Sequence, residues 1–158
     1  KGTEFHVLFP VLEGRESVSI KTHRDLPKGA GRILFVDDEV AIADIGMRML
    51  GRQGYHVEIK TSSIEALELF RSRPHDFDLL ITDMTMPHLR GDALARAVME
   101  IRPDIPVILC TGYSDMIDEE KARETGIRCV LKKPVGLSEL AVAVYDILPG
   151  KDLVRGEG

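Results

Sequence analysis

From Arg32 onward the chain alternates short apolar runs with amphipathic stretches. Ile33-Leu34-Phe35-Val36 is a β-rich run. Residues 39–53 follow with helical spacing, Ile42, Ile45 and Met49 turned inward, and Gly54 stops them. His56-Val57-Glu58-Ile59 alternates like a strand. Ser62 or Ser63 caps the next helix, whose apolar face is Ala66, Leu67, Leu69 and Phe70, with Pro74 beyond it. Leu79-Leu80-Ile81 is the third run. Residues 91–101 read as a helix with Leu94, Ala97, Val98 and Ile101 inward. Residues 106–110 form the fourth run, and a charged helix begins at Ser114 or Asp115 and ends at Gly126. Residues 127–131 are the fifth run. Ser138 begins the last helix, with Leu140, Val144, Ile147 and Leu148 inward, and Pro149-Gly150 ends it.

Five strands thus alternate with five helices. Runs that are apolar on both faces, with helices between them, predict a parallel sheet covered on both sides. Right-handed crossovers then make it a doubly wound α/β sandwich, and five strands fit the order 2-1-3-4-5. The first 31 residues stand outside this pattern. Phe5, Val7 and Phe9 alternate on one side of a short stretch, and residues 21–31 are polar, with Pro27, Gly29 and Gly31, as in a linker. The expected organisation is a tail and linker over 1–31, a folded domain over 32–149 and a tail over 150–158.

The polar residues that end the apolar runs carry the chemistry. Asp37-Asp38 closes the first run, Asp83 the third, Thr111 the fourth and Lys133-Pro134 the fifth. In a parallel sheet these run ends gather along the edge where ligands bind. A strand-end aspartate or a Lys-Pro step taken singly is most often structural; the joint pattern along one edge is what points to function. Close carboxylates repel unless a cation sits among them. Magnesium, a hard ion that takes one or two carboxylates, keeps waters and binds phosphate, suits the set. Asp37, Asp38, Asp83 and the backbone carbonyl of Thr85 are the expected metal ligands, Asp37 acting partly through water. Asp83, alone at its strand end, is the expected nucleophile for an aspartyl phosphate. Lys133 would hold the product and Thr111 would donate its hydroxyl to a phosphoryl oxygen. Gly112 leaves room for a bulky donor.

Composition narrows the classes. The chain has 158 residues, a net charge of -5 and 44% hydrophobic residues, ordinary for one soluble domain. A weakly acidic chain is a poor binder of nucleic acid. No run nears the roughly 18 apolar residues of a membrane span, and no secretory leader is visible. The expectation is therefore a cytoplasmic domain without direct membrane contact, from a parent that can itself be membrane-anchored. Cys110 and Cys129 lie inside apolar runs and read as reduced core thiols. His88 reads as a solvated loop residue, and Met84 and Met86 as loop packing.

Val36-Asp37-Asp38-Glu39, Asp83-Met84-Thr85-Met86-Pro87 with Gly91, Cys110-Thr111-Gly112 and Lys132-Lys133-Pro134 together resemble a response-regulator receiver domain. The resemblance runs from about Arg32 to Leu148. It implies the flavodoxin-like receiver fold and phosphotransfer to Asp83 from a phosphohistidine of a histidine kinase or histidine phosphotransfer domain. It also implies magnesium (Mg2+) at Asp38, Asp83 and the Thr85 carbonyl, Lys133 on the phosphoryl group, Thr111 moving toward it, and a cis Lys133-Pro134 bond. It leaves open a homodimer through the last helices and strand. The family often carries an aromatic residue three positions before the lysine; here Val130 stands there, so a switch must use a smaller side chain. Tyr113 is expected to shield the acyl phosphate from water.

Residues 1–10, Lys1-Gly2-Thr3-Glu4-Phe5-His6-Val7-Leu8-Phe9-Pro10, are similar to the last strand of a histidine-kinase ATP-binding domain. Such a strand, a linker and a receiver form the end of a hybrid sensor histidine kinase. The fragment itself carries no kinase chemistry, and residues 151–158 are too few for a DNA-binding output domain. A stand-alone single-domain regulator is one alternative. An aspartate-nucleophile phosphatase is another, but such enzymes favour an acid two residues after the nucleophile, where Thr85 stands. A flavin or nucleotide binder would need a phosphate-cradling loop where Asp37-Asp38 stands.

Overall fold

The computed structural model describes residues 26, 28–112, 122 and 124–148. Among them are five strands and four helices: β1 (Arg32–Val36), α1 (Val40–Arg52), β2 (His56–Lys60), α2 (Ser63–Ser72), β3 (Leu79–Asp83), α3 (Gly91–Ile101), β4 (Val107–Thr111), β5 (Cys129–Lys132) and α4 (Leu137–Ile147). The sheet is parallel throughout, in the order β2-β1-β3-β4-β5. This is the doubly wound order expected from five runs. Most of the charged helix expected from Ser114 or Asp115 to Gly126, residues 1–25 and 27 of the tail and linker expected over 1–31, and the tail expected over 150–158 lie outside the described residues.

The strands sort their side chains with a period of two. Leu34, Val36, Leu80, Val107 and Leu109 pack with Phe70 of α2 and Leu94, Ala95 and Val98 of α3 on one face. Ile33, Phe35, Leu79, Ile81, Ile108 and Leu131 pack with Ala43, Met49 and Leu50 of α1 and Leu140 and Val144 of α4 on the other. Every residue of β3 and β4 is buried, which is why those runs read as continuously apolar. Ser62 is the N-cap of α2, accepting the Glu65 N–H at 3.4 Å.

Two helix faces differ from expectation. In α1 the buried residues are Ala43, Gly46, Met49 and Leu50, whereas Ile45 is 53% exposed. The close contact that sets this phase is at Gly46, where a Cβ would lie 2.7 Å from the Phe35 ring. A helix can press this near a strand only along its small residues, so the isoleucine is turned away. In α3 the inward stripe is Gly91, Leu94, Ala95 and Val98; Ile101, in the last helical position, is exposed and Ala97 half-buried. In α4 the expected face holds: Leu140 and Val144 are buried with Ala141, and Ile147 and Leu148 are half-buried and pack against the same core.

Candidate functional site

Strand register brings the polar run ends level. Val36 pairs with Thr82, Asp83 with Cys110, and Thr111 with Lys132, so Asp37, Asp83, Thr111 and Lys133 all emerge at the carboxyl edge. Backbone bonds hold each one there. The Asp37 N–H donates to the Lys60 carbonyl at 3.1 Å and the Lys133 N–H to the Thr111 carbonyl at 2.7 Å. The Lys133-Pro134 bond is cis, as the resemblance implied.

Asp37 and Asp83 lie on neighbouring strands and are 2% and 5% exposed. Lys133 follows β5, two strands from β3, roughly 10 Å away at the usual strand spacing. Its four-carbon stem crosses that gap. The ammonium sits 2.8 Å from Asp83 Oδ1 and 3.4 Å from Asp37 Oδ2. The other carboxylate oxygens are held by the chain itself. Asp37 Oδ1 accepts the Glu39 N–H at 2.9 Å, and Asp83 Oδ2 accepts the Thr85 N–H at 3.0 Å. Both aspartates are thus aimed by the backbone that follows them.

Charge is not balanced here. Two buried carboxylates face one ammonium. Burial pushes the Asp37 carboxyl up, and the Asp83 charge adds to this, against the lowering effects of the Glu39 N–H and Lys133. Burial by itself would lower the Lys133 ammonium, but its hydrogen bond to Asp83 and the charges of Asp37 and Asp83 hold it above its usual value. The deficit of positive charge, on hard oxygen donors, fits a divalent cation such as magnesium.

Asp38 is exposed, and no cluster of three His, Cys, Asp or Glu side chains forms among the described residues. Asp37 and Asp83 form a buried pair at Lys133, and Asp38, expected beside them, lies exposed at the rim. Thr111 is buried at the end of β4, and its hydroxyl donates to the Gly112 carbonyl at 3.1 Å. Thr85 is exposed in the β3–α3 loop, as is His88, which has φ 69°. Met84 and Met86 pack into the core, as expected of loop packing. Cys110 and Cys129 are free thiols, and burial pushes Cys110 up to about 12. Val130, half-buried, packs against the α2–α3 face. Tyr113 lies outside the described residues.

One feature escaped the sequence reading. A cavity of about 690 Å³ opens beside the acid site, with Ile42, Ile45 and Gly46 of α1 facing Leu137 and Leu140 of α4, and Asp37 and Lys133 among its lining. Ile45 borders it because it is turned out of the core. The apolar spacing of α1 signalled a helix face but not what that face meets.

The Asp37 imbalance has a measurable consequence. A carboxyl held above its ordinary 3.8 binds its proton more tightly in the folded state. Stability therefore falls as pH rises between the unfolded and folded values, and the whole penalty is present at neutral pH. Asp37→Asn keeps an oxygen for the Glu39 N–H and leaves Lys133 paired with Asp83. In EDTA at pH 7 this variant unfolds at a higher urea concentration than the native chain, and the difference closes as pH falls through the raised folded value toward 3.8. A native chain that is the more stable of the two at pH 7 contradicts the charge account.

Residues 33–145 match the sequence pattern of the response regulator receiver domain. The chain is similar to the "Sensor kinase CckA" of Brucella abortus (strain 2308), 30% identical over 162 residues, covering 96% of this chain and 17% of that protein. It is also similar to the "Response regulator MprA" of Mycobacterium leprae (strain TN), 33% identical over 118 residues, covering 74% of this chain and 50% of that one. The chain thus spans half or less of the length of these relatives. Among solved structures, a response regulator receiver domain protein from Clostridium thermocellum superposes with TM-score 0.71 at 33% identity, covering 75% of this chain and 94% of the other. A CheY-like receiver domain protein from Methanospirillum hungatei JF-1 gives 0.67 at 29% identity, covering 75% and 93%.

Proposed function

The chain belongs to the response regulator receiver domain family, and from that premise we propose that it accepts a phosphoryl group on Asp83 in a magnesium-dependent reaction. The observation that carries this reading is the Lys133 ammonium resting on Asp83 Oδ1 at 2.8 Å, across two strands, at a site still short of positive charge. A carboxylate oxygen of Asp83 attacks phosphorus as the phosphorus–nitrogen bond of a phosphohistidine breaks, and the bonding pair leaves with the imidazole. The product is an acyl phosphate, which water returns to carboxylate and inorganic phosphate. Lys133 stays beside the charge that develops on the phosphoryl oxygens. Thr111, one strand away, supplies a hydroxyl that turns from the Gly112 carbonyl to a phosphoryl oxygen. The Thr85 N–H keeps Asp83 aimed.

Asp38, Asp83 and the Thr85 carbonyl, with Asp37 acting partly through water, would hold the magnesium ion. When bound, it supplies the positive charge that the phosphoryl oxygens and the two buried carboxylates require.

The donor is a histidine kinase or a histidine phosphotransfer domain. We infer that the chain is the receiver of a hybrid sensor histidine kinase, with tail and linker over 1–31, receiver over 32–149 and a tail over 150–158. Support comes from the CckA alignment, which takes in 96% of the chain and therefore most of the tail.

Incubation with acetyl phosphate and magnesium, followed by intact mass, tests the proposal. The native chain gains one phosphoryl group, labile to hydroxylamine as an acyl phosphate is, and gains none in EDTA. An adduct that forms equally well in EDTA removes the metal from the reading, and no adduct under either condition removes the reading itself.

A further inference from the structure

Away from the acid site, at the start of β1 and β2, three segments of the chain meet on one tyrosine. Tyr55 directly precedes β2 and is 4% exposed. Its hydroxyl donates to the Leu148 carbonyl, just past the end of α4, at 3.2 Å. Against its phenol lies Gly29, so near that a Cβ there would stand 2.0 Å from the hydroxyl oxygen. The Gly29 N–H donates to the Gln53 carbonyl at 2.9 Å. Gly54, at φ +101°, makes room in turn, since a Cβ on it would lie 2.5 Å from the Gly29 carbonyl oxygen. Gly31, at φ +148°, faces Leu148, whose Cδ1 would be 3.2 Å from a Cβ there, and its carbonyl accepts the His56 N–H at 2.9 Å.

The composition of residues 21–31 suggests slack, but the contacts of Leu26, Gly29 and Gly31 point the other way. A free segment does not bond an amide to a neighbouring turn, as Gly29 does, or bury a leucine, yet Leu26 is buried. The glycines serve close approach. Each of the three segments completes the packing of the other two.

The other end of α4 borders the functional site. Leu137 and Leu140 line the cavity that Asp37 and Lys133 also line, and Lys133 precedes the helix by only a few residues. Eleven helical residues, about 16 Å of rigid rod, join that cavity to the Leu148 carbonyl. We propose that Tyr55 clasps the segment preceding β1 to the end of α4, so that the position of α4, set at the acid-site cavity, determines the position of the incoming chain. The coupling is a property of the fold and does not depend on which group occupies the site.

Hydrogen exchange on the full chain tests this, with Tyr55→Phe and Gly29→Ala made singly and together. Two amides report: that of residue 29, which bonds to Gln53, and that of Leu148, which bonds to the Val144 carbonyl at 2.7 Å. Tyr55→Phe removes only a hydroxyl. It is expected to speed exchange about fivefold, the weight of one hydrogen bond, at Leu148 and also at position 29, where no bond was deleted. Gly29→Ala is expected to speed both, and the double variant to go no further than Gly29→Ala alone, since one clasp can be opened only once. The amides of Ile81 and Leu109 in the central strands stay unchanged. Effects confined to the mutated neighbourhood, or multiplying in the double variant, overturn the clasp. A uniform rise that includes Ile81 and Leu109 also overturns it, because Tyr55 would then support the whole fold.

Discussion

Asp83→Asn will gain no phosphoryl group under conditions in which the native chain gains one, and it will do so without losing its fold. The two halves of this outcome rest on different observations. An amide oxygen is a poor nucleophile, so the covalent step is lost outright. The fold has no reason to suffer. The asparagine oxygen still accepts the Thr85 N–H that now binds Asp83 Oδ2 at 3.0 Å, and Lys133 retains Asp37 within 3.4 Å. Replacing one of two buried carboxylates also relieves the repulsion that helps push Asp37 up. Intact mass after acetyl phosphate treatment, with a urea melt in EDTA beside it, reads both halves. If the variant is labelled as fully as the native chain, the acceptor lies elsewhere, and Asp37 and Asp38 become the candidates.

Gly91→Ala is expected to destabilise the protein by about 3 kcal/mol, the upper end of what overpacking costs, although helix propensity alone argues for a gain of about 1 kcal/mol. Gly91 opens α3 directly over the end of β3. A Cβ on it would lie 2.0 Å from the Asp83 carbonyl oxygen, 2.8 Å from the Asp83 carbonyl carbon and 3.0 Å from Leu109 Cδ1. The first two are backbone atoms of a central strand and cannot swing aside as a side chain can. Either α3 lifts from the sheet or the end of β3 moves, and the second displaces the Asp83 side chain from Lys133. The urea midpoint should fall with the slope unchanged, and phosphoryl uptake by the fraction that remains folded should slow. A stability change near zero or positive would mean that α3 shifts freely, against the close contact seen. The opposite signs of propensity and packing make the result unambiguous.

Much of this was legible along the chain because the relevant rules are local. The five runs, their order, the Ser62 cap and the polar residue at the end of each run follow from period, turn residues and composition. Burial on both faces forces the central strands to be apolar throughout, and that forces the parallel sheet. Where helix phase was misread, a rule of contact between elements prevailed over a rule of spacing. Ile45 fits the helical period of α1 as well as its neighbours do, but Gly46 marks where the helix presses on Phe35, and one face cannot serve both. Asp38 follows the buried Asp37 but is itself exposed, so it borders the site from the rim.

The sequence by itself determined which residues reach the carboxyl edge of the sheet: Asp37, Asp83, Thr111 and Lys133. It could do so because an apolar run in a parallel sheet has only one end at which a ligand can sit. Only the tertiary structure decided that Asp37 and Asp83 share the Lys133 ammonium, that a cavity opens between α1 and α4, and that Gly29 is pressed against Tyr55. Those depend on angles and distances between elements far apart in the chain, and such distances are set by how side-chain volumes pack, which no local pattern of residues encodes.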